Sequence, residues 1–163
     1  MTLRRLLTLI ACALAFAGSV QAIAQVPQYG PGVTLEQAKK ALAAAEAEAR
    51  KNNWPVAIAI VDNAGHLVLF QKADNTQTAS VMVAQDKAVS AAIYRRSTKV
   101  FQDGVAGGGA GIRFLNLRNA SMVEGGVPLV VDGKIIGAIG VSGVTSDQDG
   151  LVAKAGADAT AAK

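Results

Sequence analysis

"GGVPLVVDGKIIGAIGVSG", residues 125–143, carries six glycines through one of the most apolar stretches of the chain. Glycine in a strand loses conformational entropy and packs nothing, so its repeated use needs a geometric reason. Gly133 has one: Asp132–Gly133 is a two-residue turn joining a strand from Val127 to Val131 to a strand from Lys134 to Val141. Along the second strand, alternation sets Ile135, Gly137, Ile139 and Val141 on one face, and Ile136, Ala138, Gly140 and Ser142 on the other. Beyond Ile136 that second face is nearly flat. Flatness admits a packed helix, a second subunit or a planar ligand at backbone distance.

Outward from this hairpin, "PVAIAIVDNAGHLVLFQK" (residues 55–72) reads as another, two β-rich runs around "DNAG". Thr34 with Gln37 three positions on is a capping-box pattern. Behind it, Leu35, Ala38, Leu42, Ala45 and Ala49 recur at helical spacing as far as Asn52–Asn53. A second helix is expected from Thr78 to Tyr94, with Val81, Ala84, Ala88 and Ala91 on one face. Arg95 and Arg96 stand at its end, where cations suit the helix dipole. "STKVFQDGV" reads as one further helical turn, "AGGGAGI" as a flexible loop, and Ser146–Asp147 as the start of a last helix. Helix, hairpin, helices, hairpin, helix is the order of an α+β domain: an antiparallel sheet of about five strands flanked by helices.

The chain has 163 residues, 51% of them hydrophobic, enough for one domain with a real core. Residues 1–24 read as a secretory signal: Arg4 and Arg5, an apolar run from Leu6 to Phe16, then small residues ending in Ala22 and Ala24. Residues 25–33 are then a Pro/Gly spacer and residues 34–163 the domain, with a periplasmic or secreted location expected. The leader's apolar run is too short to span a bilayer. Cys12, the single cysteine, falls inside it, so the mature chain is expected to lack disulfides, thiolate metal sites and cysteine nucleophiles. Losing Arg4 and Arg5 reduces 16 basic residues to 14 against 12 acidic, a net charge of +2 with the basic residues scattered. Nothing in that balance suggests nucleic acid.

Several familiar chemistries are absent. "GVAGGGAGI" lacks the last glycine of G-x-G-x-x-G and the strand before it, and "GVSGV" around Ser142 lacks the closing glycine of a nucleophile elbow. His66, the sole histidine, cannot join a multi-histidine metal site. Two readings of it stand: a solvated histidine at a hairpin shoulder, or the single axial ligand of a haem iron. For the second, alternation places His66 on the face of Val68 and Phe70, an apolar wall beside an imidazole. Met82, Met122, Tyr29 and Tyr94 are the other side chains able to ligate, Tyr94 the next in line. Asp62, Asp74, Asp132, Asp147 and Asp149 sit at turns or helix starts, where aspartate commonly bonds local backbone.

"TLEQAKKALAAAEAEARKNNWPVAIAIVDNAGHLVLFQKAD", "AQDKAVSAAIYRRST" and "GGVPLVVDGKIIGAIGVSGVTSDQDGLVAKAGADA" together resemble the GlcG/HbpS-like family, which includes the C-terminal domain of PduO-type proteins. The resemblance runs from about Val33 to Ala159. It implies a compact α+β fold similar to profilin, self-association into symmetric homo-oligomers and, in several members, haem binding or breakdown. The chain departs from the pattern at "DNAGH", where two glycines usually precede the histidine, and at "KADN", where "RMDG" is common. Lys72 thus replaces an arginine and lacks its planar fork for carboxylates.

Two functions are expected on these grounds. One is an exported haem or tetrapyrrole binder, with His66 on the iron, Val68 and Phe70 as wall, and Arg95 or Arg96 on the propionates. The alternative is an enzyme or accessory protein for a small organic acid, holding its carboxylate with an arginine beside Asp62 or Asp132.

Overall fold

The computed structural model describes residues 26–161. The leader expected over residues 1–24, Cys12 included, lies outside them. The elements in chain order are β1 (Gln28–Tyr29), α1 (Leu35–Lys51), β2 (Ala57–Asp62), β3 (Leu67–Lys72), α2 (Ser80–Tyr94), α3 (Lys99–Ala106), a 3-10 segment (Gly109–Asn116), β4 (Gly126–Val131), β5 (Lys134–Ser142) and α4 (Ser146–Ala161).

β5 is the central strand, antiparallel to β4 on one side and to β2 on the other, and β3 pairs β2 at the edge. The fold is α+β as expected, but its sheet is mixed. The supposed spacer contributes β1, which runs parallel to β5 and pairs Gln28 with Lys134 and Tyr29 with Ile135, beyond the residues β2 occupies.

The alternation of small and large residues decides which helix lies on which face. In "AIAIV" of β2, Ile58 and Ile60 point to the layer formed with α1 and α4, while Ala57, Ala59 and Val61 point to α2. β5 repeats this, with Ile139 and Val141 on the first face and Ala138 on the second. Each buried isoleucine contributes about 1.5–3 kcal/mol of transfer free energy, so the first face holds most of the hydrophobic stabilisation. The second face allows close approach. α2 meets it with Ala84, Ala88, Ala91 and Ala92, and a methyl group on Gly140 would stand 2.0 Å from the Ala84 carbonyl oxygen and 2.5 Å from the Ala88 nitrogen. The flat glycine face is therefore the seat of a helix, and neither a second subunit nor a ligand can use it.

Strict alternation fails at two bulges. Leu129 pairs Gly137 and Val130 pairs Ile135, so Ile136 is skipped and turns to the α1/α4 layer with Ile139. In β3, Leu69 pairs Ile60 and Leu67 pairs Val61, so Val68 is skipped. Such an extra residue reverses the facing of the residues beyond it.

α1 begins with the expected box: the Gln37 N–H donates to Thr34 Oγ1 at 3.2 Å and the Thr34 N–H to Gln37 Oε1 at 2.9 Å. Its buried stripe is Ala38, Ala41, Ala45 and Ala49, with Leu35 left exposed. α2 starts at Ser80, two residues late, and Val81 is only partly buried. α3 has two turns instead of one. The expected flexible loop is the 3-10 segment, pinned by Phe114 packing edge-on to Phe101 at 5.4 Å between ring centres.

Candidate functional site

The β2–β3 turn is built on Asp62. Its Oδ1 accepts the N–H groups of Ala64 at 2.8 Å and His66 at 2.9 Å, and its Oδ2 lies 3.3 Å from His66 Nδ1. Burial opposes charge on this carboxyl, but the His66 and Ala64 amides and the His66 ring outweigh it and hold the group below the ordinary aspartate range. Asp62 is thus an acceptor already engaged by its own turn. His66 projects outward, its side chain 81% exposed. A carboxylate only accepts, so the Nδ1 hydrogen belongs toward Asp62, and in the neutral ring Nε2 is then the nitrogen with the lone pair.

The turn rests on the outer side of α2. Gly65, at φ +92°, lies against Val89 and Ile93, where a methyl group would be 3.4 Å and 3.5 Å from their side chains. The same end of the molecule gathers β1. Asn63 Nδ2 donates to the Gly30 carbonyl at 2.6 Å, and the Tyr29 hydroxyl lies 3.0 Å from each of the carbonyls of Ala92 and Ile93. Arg95, the α2 C-cap at φ 55°, holds its guanidinium 5.5 Å from the Tyr29 ring centre. His66, Tyr29 and Arg95 therefore share one end of the molecule, linked by the turn, β1 and the last turn of α2.

The remaining expected site residues do not gather there. Val68, displaced by the bulge, packs against the α1/α4 layer, while Phe70 packs against the α2 layer. They lie on opposite faces of the sheet and form no common wall. The apolar side chains beside the turn are Val89 and Ile93, against Gly65, with Leu67 exposed next to His66 in the chain. Arg96 diverges from Arg95 because the left-handed cap turns the chain: its Nε donates to the Tyr94 carbonyl and its guanidinium lies 5.8 Å from the Phe101 ring centre. Tyr94, the reserve ligand, donates its hydroxyl to the Arg118 carbonyl at 2.6 Å. Asp132 occupies the β4–β5 turn at φ 49°.

Val89 also borders a surface groove of about 560 Å3 between α2 and residues 119–123, lined further by Val83, Asp86, Asn119, Ser121 and Val123. The sequence reading placed Val81, Ala84, Ala88 and Ala91 on one face of this helix and gave no signal that residues 119–123 would form a wall beside Val83 and Val89. Among the described residues no cluster of three or more His, Cys, Asp or Glu side chains could hold a metal ion.

Sequence reasoning also missed the buried pair Lys87–Asp149. Lys87 Nζ donates to Asp149 Oδ2 at 2.8 Å and to the Val141 carbonyl at 2.9 Å, both side chains being almost wholly enclosed. Burial pushes the Asp149 carboxyl up, while Lys87 and the amides of Val144 and Gly143 pull it down. The pair ties α2 to α4 past the end of β5. Its enclosure and full hydrogen bonding make it a structural link.

The chain is similar to known proteins over most of its length. A sequence model of the family described as "Haem degrading protein HbpS-like" matches residues 33–158. Protein GlcG of Escherichia coli strain K12 is 44% identical over 110 residues, covering 68% of this chain and 81% of that protein. A crystal structure of a double mutant of HbpS from Streptomyces reticuli matches 87% of this chain and 96% of its own, with TM-score 0.72 and 28% identity. A crystal structure of a PduOC:heme complex matches 78% of this chain and 94% of its own, with TM-score 0.70 and 25% identity.

Proposed function

The chain belongs to the HbpS-like family, and from that premise we propose that it is an exported haem-binding protein with His66 as the iron ligand. The observation that carries the proposal is the solvent-facing imidazole held by a carboxylate: Asp62 fixes the ring through Nδ1 and leaves Nε2 available. That is the arrangement in which protein imidazoles commonly meet metals, with the second ring nitrogen oriented from behind. The similar PduOC chain was crystallised with haem, which makes tetrapyrrole the ligand class to test first.

Haem, when bound, would supply an iron centre, and His66 would be the residue holding it through a ring nitrogen. Everything else falls to the chain's own residues. Val89 and Ile93, against Gly65, and the exposed Leu67 offer apolar surface around the turn that carries His66, and Arg95 offers a cation for carboxylates at the same end. Export rests on the three-part leader of residues 1–24. Self-association is proposed on the family resemblance, with the exposed Leu67, Met82, Leu115 and Val123 as apolar side chains available to it.

The test is an absorption titration with haemin, using chain recovered from the periplasm, whose intact mass reads the removal of the leader. A saturable Soret band at micromolar protein supports the proposal. Its absence would leave the organic-acid alternative as the one to pursue.

A further inference from the structure

Far from His66, between the end of α1 and the β3 edge, the chain's only tryptophan lies in a cleft. Trp54 is partly buried, and Val56 and Ile58 close the floor beside it. The space measures about 420 Å3 and adjoins a second hollow of about 530 Å3 that shares Arg50, Trp54 and Asp74.

The charges around it divide into two kinds. Glu46 is engaged at one oxygen, its Oε1 accepting from Arg50 Nη2 and from Gln71 Nε2, both at 2.6 Å. That wall is internally neutral. Lys72 and Asp74 differ: both line the cleft, both are exposed, and among the described residues neither side chain has a hydrogen-bond or ion-pair partner. An unpaired ammonium and an unpaired carboxylate thus stand two residues apart at the rim of a hollow of mixed lining, whose large apolar surface is Trp54.

We propose that this cleft is a second ligand site, taking a small zwitterion with an apolar body: its carboxylate on Lys72, its ammonium on Asp74, its hydrocarbon against Trp54. A purely anionic ligand leaves Asp74 facing like charge, and a purely cationic one leaves Lys72 so. Lysine meets a carboxylate as a point charge, without the two-bond grip of an arginine fork, so the contact is a single ion pair. The aromatic floor contributes contact area at little entropic cost. The proposal is independent of the haem reading.

Trp54 is its own reporter, because its emission can be excited at wavelengths where Tyr29 and Tyr94 do not absorb. The probes are L-phenylalanine, phenethylamine and 3-phenylpropanoate, added to the haem-free chain. They share one body and differ in which charges they carry. Phenylalanine should change the emission saturably, and each singly charged probe should bind about fivefold more weakly, the upper end of what one solvent-facing ion pair contributes. Lys72→Met should lower phenylalanine affinity about fivefold while phenethylamine binds as well as before or better, its like charge having gone, and Asp74→Asn should do the converse with 3-phenylpropanoate. Retained binding of that probe shows that each variant is folded, and the wild-type probe series decides the matter without any variant. No saturable change with phenylalanine up to its solubility limit would overturn the proposal. So would three equal affinities.

Discussion

At Gly140 a side chain has nowhere to go, because the space its first carbon would need is taken by the backbone of α2 at Ala84 and Ala88. Gly140→Val should therefore lower stability by about 3 kcal/mol or more, at the top of the range for overpacking, since a helix must move and no side chain can yield instead. Denaturant melts of the two proteins check this, and an unchanged midpoint would show that α2 sits elsewhere. Asp62 gives a second test at this scale. Its carboxyl titrates below the ordinary value in the folded chain, so the stability it contributes is present above the unfolded pKa and is lost as pH falls through the folded one. Asp62→Ala should remove about 1–2 kcal/mol near neutral pH. The difference between variant and wild type should shrink on acidification below the ordinary carboxylate range, and a pH-independent difference would contradict the assigned role. Gly140 was legible as a close-approach site, though not which neighbour approached. Val68 was not legible, because a bulge leaves no mark in a run such as "LVLF", where residues on either face are equally apolar.

Between elements, the Lys87–Asp149 pair joins α2 and α4 around the end of β5. Removing one partner strands a buried charge. Lys87→Met should cost about 3–5 kcal/mol, and Lys87→Met with Asp149→Leu should cost clearly less than the sum of the single changes, because no charge is then left unpaired. Strict additivity in urea melts would contradict the pairing. The sequence offered no hint of this link, since a lysine on an alanine-rich helix and an aspartate at a helix start both have ordinary surface explanations. The elements themselves were more readable. Capping chemistry placed α1, and the "DG" turn with its β-rich flanks placed β4 and β5. β1 escaped notice because two residues of strand in a Pro/Gly segment have no periodicity to detect; it exists through the ladder to β5 and the Tyr29 hydroxyl on α2.

For the molecule as a whole, the internal use of the glycine face moves any self-association onto other surface. Leu67, Met82 and Val123 are among the large apolar side chains left exposed. Light scattering on the processed chain should return a multiple of the chain mass at micromolar concentration. Replacing Met82, which is 66% exposed, with glutamate should reduce that mass without lowering the melting temperature of the subunit. A monomer mass for the unaltered chain would contradict the proposed assembly. Haem ligation by His66 is reached most directly by one measurement: the haemin spectrum of His66→Ala, with and without added imidazole. The variant keeps the backbone N–H that Asp62 binds, so the turn is preserved. The Soret maximum should shift or the affinity fall sharply, and imidazole should restore the wild-type spectrum by supplying the missing nitrogen donor. A variant whose spectrum and affinity match the wild type would place the ligand elsewhere and contradict the assignment.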